Sequence, residues 1–512
     1  MAAGVVIIGA GIGGLSAAAV LAARGVPVTL LEKEAAPGGK ARQVAVDGRL
    51  IDGGPTVLTL QRHLAAVFTA AGARMQDHVT LTPAQILARH AWTDGGRLDL
   101  HADPGRSADA IAAFAGAGEA AGFRRFITDA ARVFRTLDRS FMQADRPGMA
   151  RLIASAGPFG LPDLLAIRPF TSLWAALGGY FKDPRLRQLF GRYATYCGSS
   201  PFLSPATLML VAHAEQEGVW QVQGGMHRVA AALADLATER GAEIRYCSPV
   251  RRIRITGGRA TGVDLADGSA LDADAVLVNA DVAALAGGLL GPEAGRAVAR
   301  PGGTGNRSLS AVTWCLAART AGFPLSHHTV FFSDDYPAEF TDILVHRRLP
   351  RQPTVYVCAQ DRTFGPEQRV VDGVERLLVL VNAPADGDGD SPALAQGEIA
   401  ACAERTFGLL ARCGLTVQGA PGQKAPGPES LGEGAPVVVT TPRDFHRLFP
   451  GTGGALYGRA SHGWQASFQR PGVVGRIPGL YLAGGSAHPG PGVPMAALSG
   501  RMAAERIIRD RC

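Results

Sequence analysis

Residues 5–34 read VVIIGAGIGGLSAAAVLAARGVPVTLLEKE, and two structures compete for them: an apolar leader, or the opening turn of a nucleotide-binding fold. A leader needs a positive segment before its apolar core, and Met1-Ala2-Ala3-Gly4 supplies none. The glycines favour the fold. Residues 5–8 are a β-branched run of strand length, and Gly9-x-Gly11-x-x-Gly14 follows at once. The pattern predicts an alanine-rich helix over 15–24 and a second strand over 27–31 that ends in Glu32. In such a βαβ unit Gly9 permits the tight turn, Gly11 lets backbone approach a pyrophosphate, and Gly14 lets helix pack on strand. Glu32 then reaches a ribose hydroxyl. A glycine triplet means little in a chain with 66 glycines; the strand before it, the helix after it and the acid at the right distance give it weight. Glu32 would also repel a 2′-phosphate, which disfavours NADP.

The chain has 512 residues, enough for two or three domains around a large core. Hydrophobic residues make up 47% and charged residues 19%, a globular balance, and no apolar run asks for a transmembrane span. The net charge of +7 is spread over many arginines without a lysine-rich block, so nucleic acid is not an expected partner. A basic surface is also suited to anionic lipid. Seven scattered cysteines form no CxxC pair and no zinc spacing, which fits reduced, buried thiols. His327-His328 lacks a third ligand nearby in sequence, so no metal is expected. The Asp386-to-Asp390 patch reads as a solvated loop, and no GxSxG elbow supports hydrolase chemistry.

Two more glycine-rich loops follow the first unit, Gly38-Gly39-Lys40-Ala41-Arg42 and Gly53-Gly54-Pro55-Thr56. Together they suggest a wall of backbone around one long ligand. Residues 84–218 are mostly helical in period. From Gly224 the first pattern returns, with a helix predicted over 227–240, a strand over 243–247, hairpins turning at Gly257-Gly258 and Asp267-Gly268, and a buried strand over 275–278 with the polar tip Asn279-Ala280-Asp281. Residues 302–450 carry further strand signals, at 354–359 and 377–382. Near the C-terminus a short strand over 480–483 runs into Gly484-Gly485, and Pro494 marks the first turn of a helix reaching about residue 508. This second strand–glycine–helix crossover brings another helix N-terminus to the ligand, whose positive end suits an electron-poor flavin edge that becomes anionic on reduction.

At these residues the chain resembles the bacterial phytoene desaturase family of carotenoid FAD oxidoreductases. The resemblance runs nearly the full length and rests on Gly9-to-Gly14 with Glu32, on GGKAR with GGPTVLT, on GRYATYCGSSPFLSPA at 191–206, and on GGSAHPGPGVP at 484–494. Within the family, AHPGPGVPMAALSG looks most like the 1-hydroxycarotenoid 3,4-desaturases, the hydroxyneurosporene and methoxyneurosporene dehydrogenases. The implied fold is α/β: a two-domain FAD-binding Rossmann-type fold with a monoamine-oxidase-like substrate domain. FAD-binding parts are then expected at 1–83, 219–301 and 451–512, a helical substrate- and membrane-binding region at 84–218, and a substrate-domain sheet at 302–450.

The resemblance implies an enzyme that binds FAD and desaturates an acyclic carotenoid, passing electrons to a quinone or oxygen. It implies a cytoplasmic protein held peripherally on the inner face of the membrane, with residues 161–181 as the contact. Gly9, Gly11, Gly14 and Glu32 would hold pyrophosphate and ribose, with Lys33 beside them. Gly39, Lys40, Arg42, Gly54, Pro55 and Thr56 would lie toward the flavin. Val250 would meet adenine through its backbone; Gly485, Ser486, Val493, Pro494 and Met495 would line the ribityl chain and ring. Ser486 stands where many flavin enzymes of this fold place an acid. Alternatives are phytoene desaturation, a redox-neutral carotenoid cis–trans isomerase, and a non-enzymatic isoprenoid-binding protein.

Overall fold

The computed structural model describes residues 4–144, 148, 167–299, 306–362, 373–420 and 436–511. Val5–Ile8 is buried along its whole length, as a β-branched run must be when both faces of a parallel sheet are covered. It occupies the centre of a five-stranded parallel sheet, in the order Leu480–Leu482, Ala275–Val278, Val5–Ile8, Val28–Leu31, Glu243–Arg245. Three separate stretches of chain therefore build one sheet.

The helix Ile12–Ala23 is buried from Ile12 to Ala22 because it is wedged between the helices His227–Glu239 and Val493–Arg511. Its small residues make that possible. A Cβ on Gly500 would strike the Gly13 carbonyl, so the first and last helices touch backbone to backbone.

A second, seven-stranded sheet runs in the order Val437–Thr440, Ser310–Ala318, Glu375–Ala383, Val355–Ala359, His328–Phe331, Ile86–Ala91, Arg97–His101. Its neighbours are antiparallel except for the parallel pair His328–Phe331 and Ile86–Ala91. Alternation sorts its side chains: Val312, Trp314, Val357 and Val379 pack with Phe407 and Leu410 of the helix Gln396–Arg412. Cys315, Val330, Tyr356, Cys358 and Leu378 face the helical region, among Phe126, Phe134, Phe190 and Tyr193.

The helical region begins later than its period suggested. Residues 86–91 and 97–101 are the edge of the large sheet, and helices start at Pro104. Apolar residues at alternate positions, such as Leu98 and Leu100, are short enough to fit either period. Residues 161–166 of the predicted membrane contact lie outside the described residues. Of the remainder, Leu173 and Leu177 are fully buried, and Trp174 packs on Phe202 with ring centroids 4.8 Å apart. That helix is core, not surface.

Candidate active site

In open parallel sheets, ligands bind beyond the C-terminal ends of the strands, and here four such ends lie together. Ile8 leads to Gly9, Leu31 to Glu32, Val278 to Asn279 and Leu482 to Gly484. Gly9 has φ of 100°, a conformation that favours glycine. The helix that follows begins at Gly11 with no side-chain cap and no acid in its first turn. Its positive end is left for an anion. The Glu32 carboxylate is pinned beneath this turn, accepting from the Ala10 N–H at 2.6 Å and the Glu34 N–H at 2.9 Å. A carboxylate held by two backbone donors still has lone pairs for a ribose hydroxyl. An uncapped helix start beside a fixed acid suits the pyrophosphate and adenosine ribose of FAD.

Asn279, read in the sequence only as a polar strand tip, is the hub of the glycine loops. Its Nδ2 donates to the Gly9 carbonyl at 3.1 Å. A Cβ on Gly11 would lie 2.9 Å from that nitrogen, and one on Gly484 would lie 2.8 Å from Oδ1. A Cβ on Gly13 would stand 2.8 Å from the Gly484 backbone nitrogen, and one on Gly14 would strike the Gly9 carbonyl. The role expected of Gly11, space for the ligand, is thus shared with space for Asn279. Its only sequence signal is a polar residue closing a buried strand of the same sheet.

The second and third glycine loops join this cradle. Gly38 donates to the Ala10 carbonyl at 2.8 Å, a Cβ on Gly39 would lie 3.3 Å from the Gly11 Cα, and one on Gly54 would strike the Lys40 carbonyl. Asp52 secures them from behind: its carboxylate accepts from the Met226 and His227 N–H groups at 2.5 and 3.3 Å, capping the start of the helix His227–Glu239. Lys40 donates to the Leu456 carbonyl at 2.7 Å and stands 3.7 Å from Asp281. Burial pushes its pKa down although 35% of the side chain is open.

The C-terminal loop closes the opposite wall. Buried Arg470 donates to the carbonyls of Tyr457, Arg459 and Gly485 at 3.1, 2.6 and 3.3 Å. Ser486 accepts from the Val282 N–H at 3.0 Å, so its hydroxyl is engaged with the short helix after Asp281. Val493 and Pro494 are buried at the start of the last helix. Met495 packs against both the dinucleotide core and the substrate core.

Three predicted residues stand apart from these contacts. Lys33 is exposed and paired with Glu34 at 2.9 Å. Arg42 turns to the edge of the large sheet, donating to Thr440 Oγ1 at 3.0 Å and lying over Phe445. Val250 begins a strand of a small antiparallel sheet and packs against the cluster that holds Ile8 and Leu31; two residues earlier the Ser248 N–H donates to the Glu32 carbonyl at 2.8 Å.

Beyond the cradle, where the large sheet packs on the helical region, Thr56, Val57, Tyr196, Cys197, Phe468 and Met495 keep partial exposure, and this partly open seam is the candidate cleft. Polar groups collect inside this apolar lining. The Thr56 and Tyr356 hydroxyls are 2.7 Å apart, and Tyr356 lies 2.7 Å from His328 Nδ1. The Arg192 guanidinium lies over the rings of Tyr196 and Tyr356, 5.4 Å from each. Tyr193 and Tyr196 both donate to buried Glu215, whose carboxyl burial pushes up.

Strand pairing also supplies what His327-His328 lacked in sequence, setting His328 opposite Cys358. The three ligand-type atoms lie within 4.8 Å of one another. Protein contacts account for the grouping: Cys358 Sγ is 3.7 Å from His327 Nε2, and His327 Nδ1 is 2.7 Å from the Arg362 carbonyl. Burial lowers His327 to about 4 and raises Cys358 to about 12. Among the other cysteines, Cys315, Cys402 and Cys413 are buried as expected, but Cys247 is exposed. A groove of about 760 Å³ by Trp314, Ile399 and Val439 contains none of the predicted site residues.

Comparison with known proteins agrees with this geometry. A family model described as flavin containing amine oxidoreductase matches residues 12–508. The chain is 51% identical to hydroxyneurosporene desaturase of Rubrivivax gelatinosus, over 98% of this chain and 93% of that one. It is 46% identical to hydroxyneurosporene desaturase of Cereibacter sphaeroides, over 99% and 97%, and 32% identical to 4,4'-diapolycopene oxygenase of a Methylomonas species, over 99% and 98%. The fold is shared with an oxidoreductase from Methanosarcina mazei, with a TM-score of 0.61 at 19% identity over 98% and 99% of the chains. It is shared too with putrescine oxidase, at 0.58 and 15% over 99% of each chain. The uncapped helix start, the pinned acid and these matches together make the chain an FAD-dependent oxidoreductase, and it belongs to the flavin containing amine oxidoreductase family.

Proposed function

We propose that this enzyme desaturates the 3,4 bond of an acyclic carotenoid bearing a 1-hydroxy or 1-methoxy group, such as hydroxyneurosporene. One observation carries the reading: identity is 51% to a hydroxyneurosporene desaturase but 29% to a phytoene desaturase of Fusarium fujikuroi. FAD, when bound, supplies the hydride acceptor. Gly9, Gly11 and Gly14 leave the helix start open to its pyrophosphate, Glu32 accepts from its ribose, and Val250 and Lys33 lie on the adenosine side. Gly39, Lys40 and Gly54-Pro55-Thr56 form the near wall, with Arg42 turned from it to the sheet edge, and Gly485, Ser486, Val493, Pro494 and Met495 the far wall. The division at residues 83, 218, 301 and 450 is kept for these parts, with 86–101 given to the substrate sheet.

The bond to be oxidised adjoins a polyene, so positive charge left by hydride loss is delocalised along it and the second hydrogen becomes acidic. Placement then contributes more than a general base, which is typically worth ~10²–10⁴-fold. His328, the histidine bonded to Tyr356 on the cleft wall, is held neutral by burial, which makes it a poor proton acceptor.

The substrate is insoluble in water, so the enzyme works at the membrane surface, cytoplasmic and peripheral, and returns electrons to a quinone or oxygen. No helix among the described residues is long and apolar enough to cross a membrane. Phe170 is 81% exposed, and Leu203 and Trp464 are exposed too. The rings of Phe170 and Trp464 lie 5.5 Å apart, and exposed Arg168 stands two residues before Phe170 in sequence. Aromatic groups beside a cation suit a lipid interface.

The test is to incubate the holoenzyme under argon with liposomes holding hydroxyneurosporene and a quinone, and to record spectra. A bathochromic shift of the carotenoid, with quinone reduced in step, is the expected result. An isomer formed without quinone consumption would overturn desaturation in favour of a redox-neutral isomerase.

A further inference from the structure

A tertiary alcohol at carbon 1 lies two carbons from the 3,4 bond. Whatever holds that alcohol must therefore stand beside the edge of the cleft where the bond meets FAD. On the flavin-side assignment proposed above, Thr56 takes that place: it closes the third glycine loop, whose Gly54 abuts the Lys40 carbonyl, and it keeps partial exposure. We propose that Thr56, Tyr356 and Arg192 form a hydroxyl-binding subsite at the flavin end of the cleft, selecting polyenes that end in a tertiary alcohol. This rests on the 1-hydroxycarotenoid reading above and names the residues that would read the hydroxyl.

The donor and acceptor count supports a hydroxyl as the ligand. His328 is fully buried on the sheet, its Nδ1 2.7 Å from the Tyr356 hydroxyl. Burial, then the charges of His327 and Arg192, hold this histidine neutral, and in the tautomer with its proton on Nε2 the Nδ1 atom accepts a hydrogen bond from the Tyr356 hydroxyl. The Tyr356 oxygen then accepts from Thr56, 2.7 Å away. With its own proton committed inward, the Thr56 oxygen turns lone pairs to the cleft and accepts from an incoming alcohol. Arg192, over the Tyr356 and Tyr196 rings, has N–H groups and no acceptor, and donates to the alcohol oxygen. An alcohol satisfies both, a methyl ether only the arginine, and a hydrocarbon neither. In an apolar cleft, failure to satisfy them costs more than the same loss in water.

The chain of hydrogen bonds from Thr56 to His328 also explains why such polar side chains stand among Phe126, Phe190 and Leu378. Buried polar groups persist when each is satisfied, and His328 lies at the inner end of this chain. Only its outer end opens on the cleft.

The experiment measures kcat/KM for 1-hydroxyneurosporene, its 1-methoxy ether and neurosporene in wild type and in Tyr356→Phe, Thr56→Val and Thr56→Ser, each with flavin content checked by absorbance. Wild type is expected to prefer alcohol over hydrocarbon by about 10-fold or more, with the ether between. Tyr356→Phe and Thr56→Val collapse that preference ratio, mainly through KM for the alcohol, while Thr56→Ser retains it. If Tyr356→Phe fails to hold flavin, the Thr56 pair carries the test alone. A wild-type ratio near one would overturn the 1-hydroxy reading itself. A high wild-type ratio left unchanged by Tyr356→Phe and Thr56→Val would overturn the subsite and leave the substrate reading standing.

Discussion

At the scale of single residues, Asn279 shows what a motif does and does not disclose. The three glycines of the opening turn are legible because each answers to a backbone requirement that recurs in every such turn. Asn279 answers to a tertiary one: it is 270 positions from Gly9 along the chain and meets it only because Ala275–Val278 pairs with Val5–Ile8. Replacing it by leucine would leave the Gly9 carbonyl unpaired and press an apolar branch against Gly11, Gly13 and Gly484. Asn279→Leu is expected to lose about 1–3 kcal/mol of stability, the cost of one unsatisfied buried group, and to purify with less than stoichiometric FAD. Thermal melting and the flavin-to-protein absorbance ratio check this; a variant with wild-type melting and full flavin would refute it. Ser486, legible as a departure from an acid, has a local cause that was not: its oxygen is taken by the Val282 N–H.

At the scale of elements, Ala275–Val278 and His227–Glu239 match the expected bounds within a residue, whereas the first helix starts at Ile12, three residues before the expected 15, because it begins inside the glycine motif. Ile86–Ala91 and Arg97–His101 were lost in a helical tract because one strand, IleLeuAlaArgHisAla, is mixed in burial and carries no clean alternation. The tract 167–181 misled in another way: its apolar and aromatic composition is the same whether the helix faces lipid or core. Packing decides it, since Leu173 and Leu177 have no exposed surface while Phe170, just before the helix, is 81% exposed. The proposed lipid contact therefore moves to Phe170, Leu203 and Trp464, which are exposed. Phe170→Glu with Trp464→Glu is expected to reduce co-sedimentation with anionic liposomes severalfold while melting temperature and flavin content hold. Leu173→Glu, by contrast, would bury a charge and unfold the region. Unchanged sedimentation of the double variant would count against this surface.

At the scale of the whole molecule, the large sheet and the helical region meet across a cleft whose walls carry histidines that must stay neutral. Burial lowers His90 to about 3 and His327 to about 4, with the Arg192 charge adding to the effect on His90. In the unfolded chain each titrates near ~6.5. The folded pKa is the lower one, so the stabilising preference for the neutral form is complete above ~6.5 and is lost as pH falls from there toward the folded value. Between pH 7 and pH 5 each such histidine costs the fold about 2 kcal/mol, from about 1.4 kcal/mol per unit of separation. Asp52, Glu215 and Glu339 are raised by burial and work in the opposite sense, so total stability against pH mixes the two. A difference isolates one group. His90 stacks on Phe332 with centroids 6.0 Å apart and also neighbours Trp92, a setting that accepts an aromatic ring. His90→Phe gives up the Nδ1 contact with the Leu98 carbonyl and so starts less stable at pH 7. Its loss on going to pH 5 is nonetheless expected to be smaller than that of wild type by about 2 kcal/mol, in urea unfolding followed by tryptophan fluorescence with FAD in excess. Equal losses in the two proteins would mean that His90 does not resist protonation in the fold, and that the sheet-to-helix contact is wetter than its packing implies.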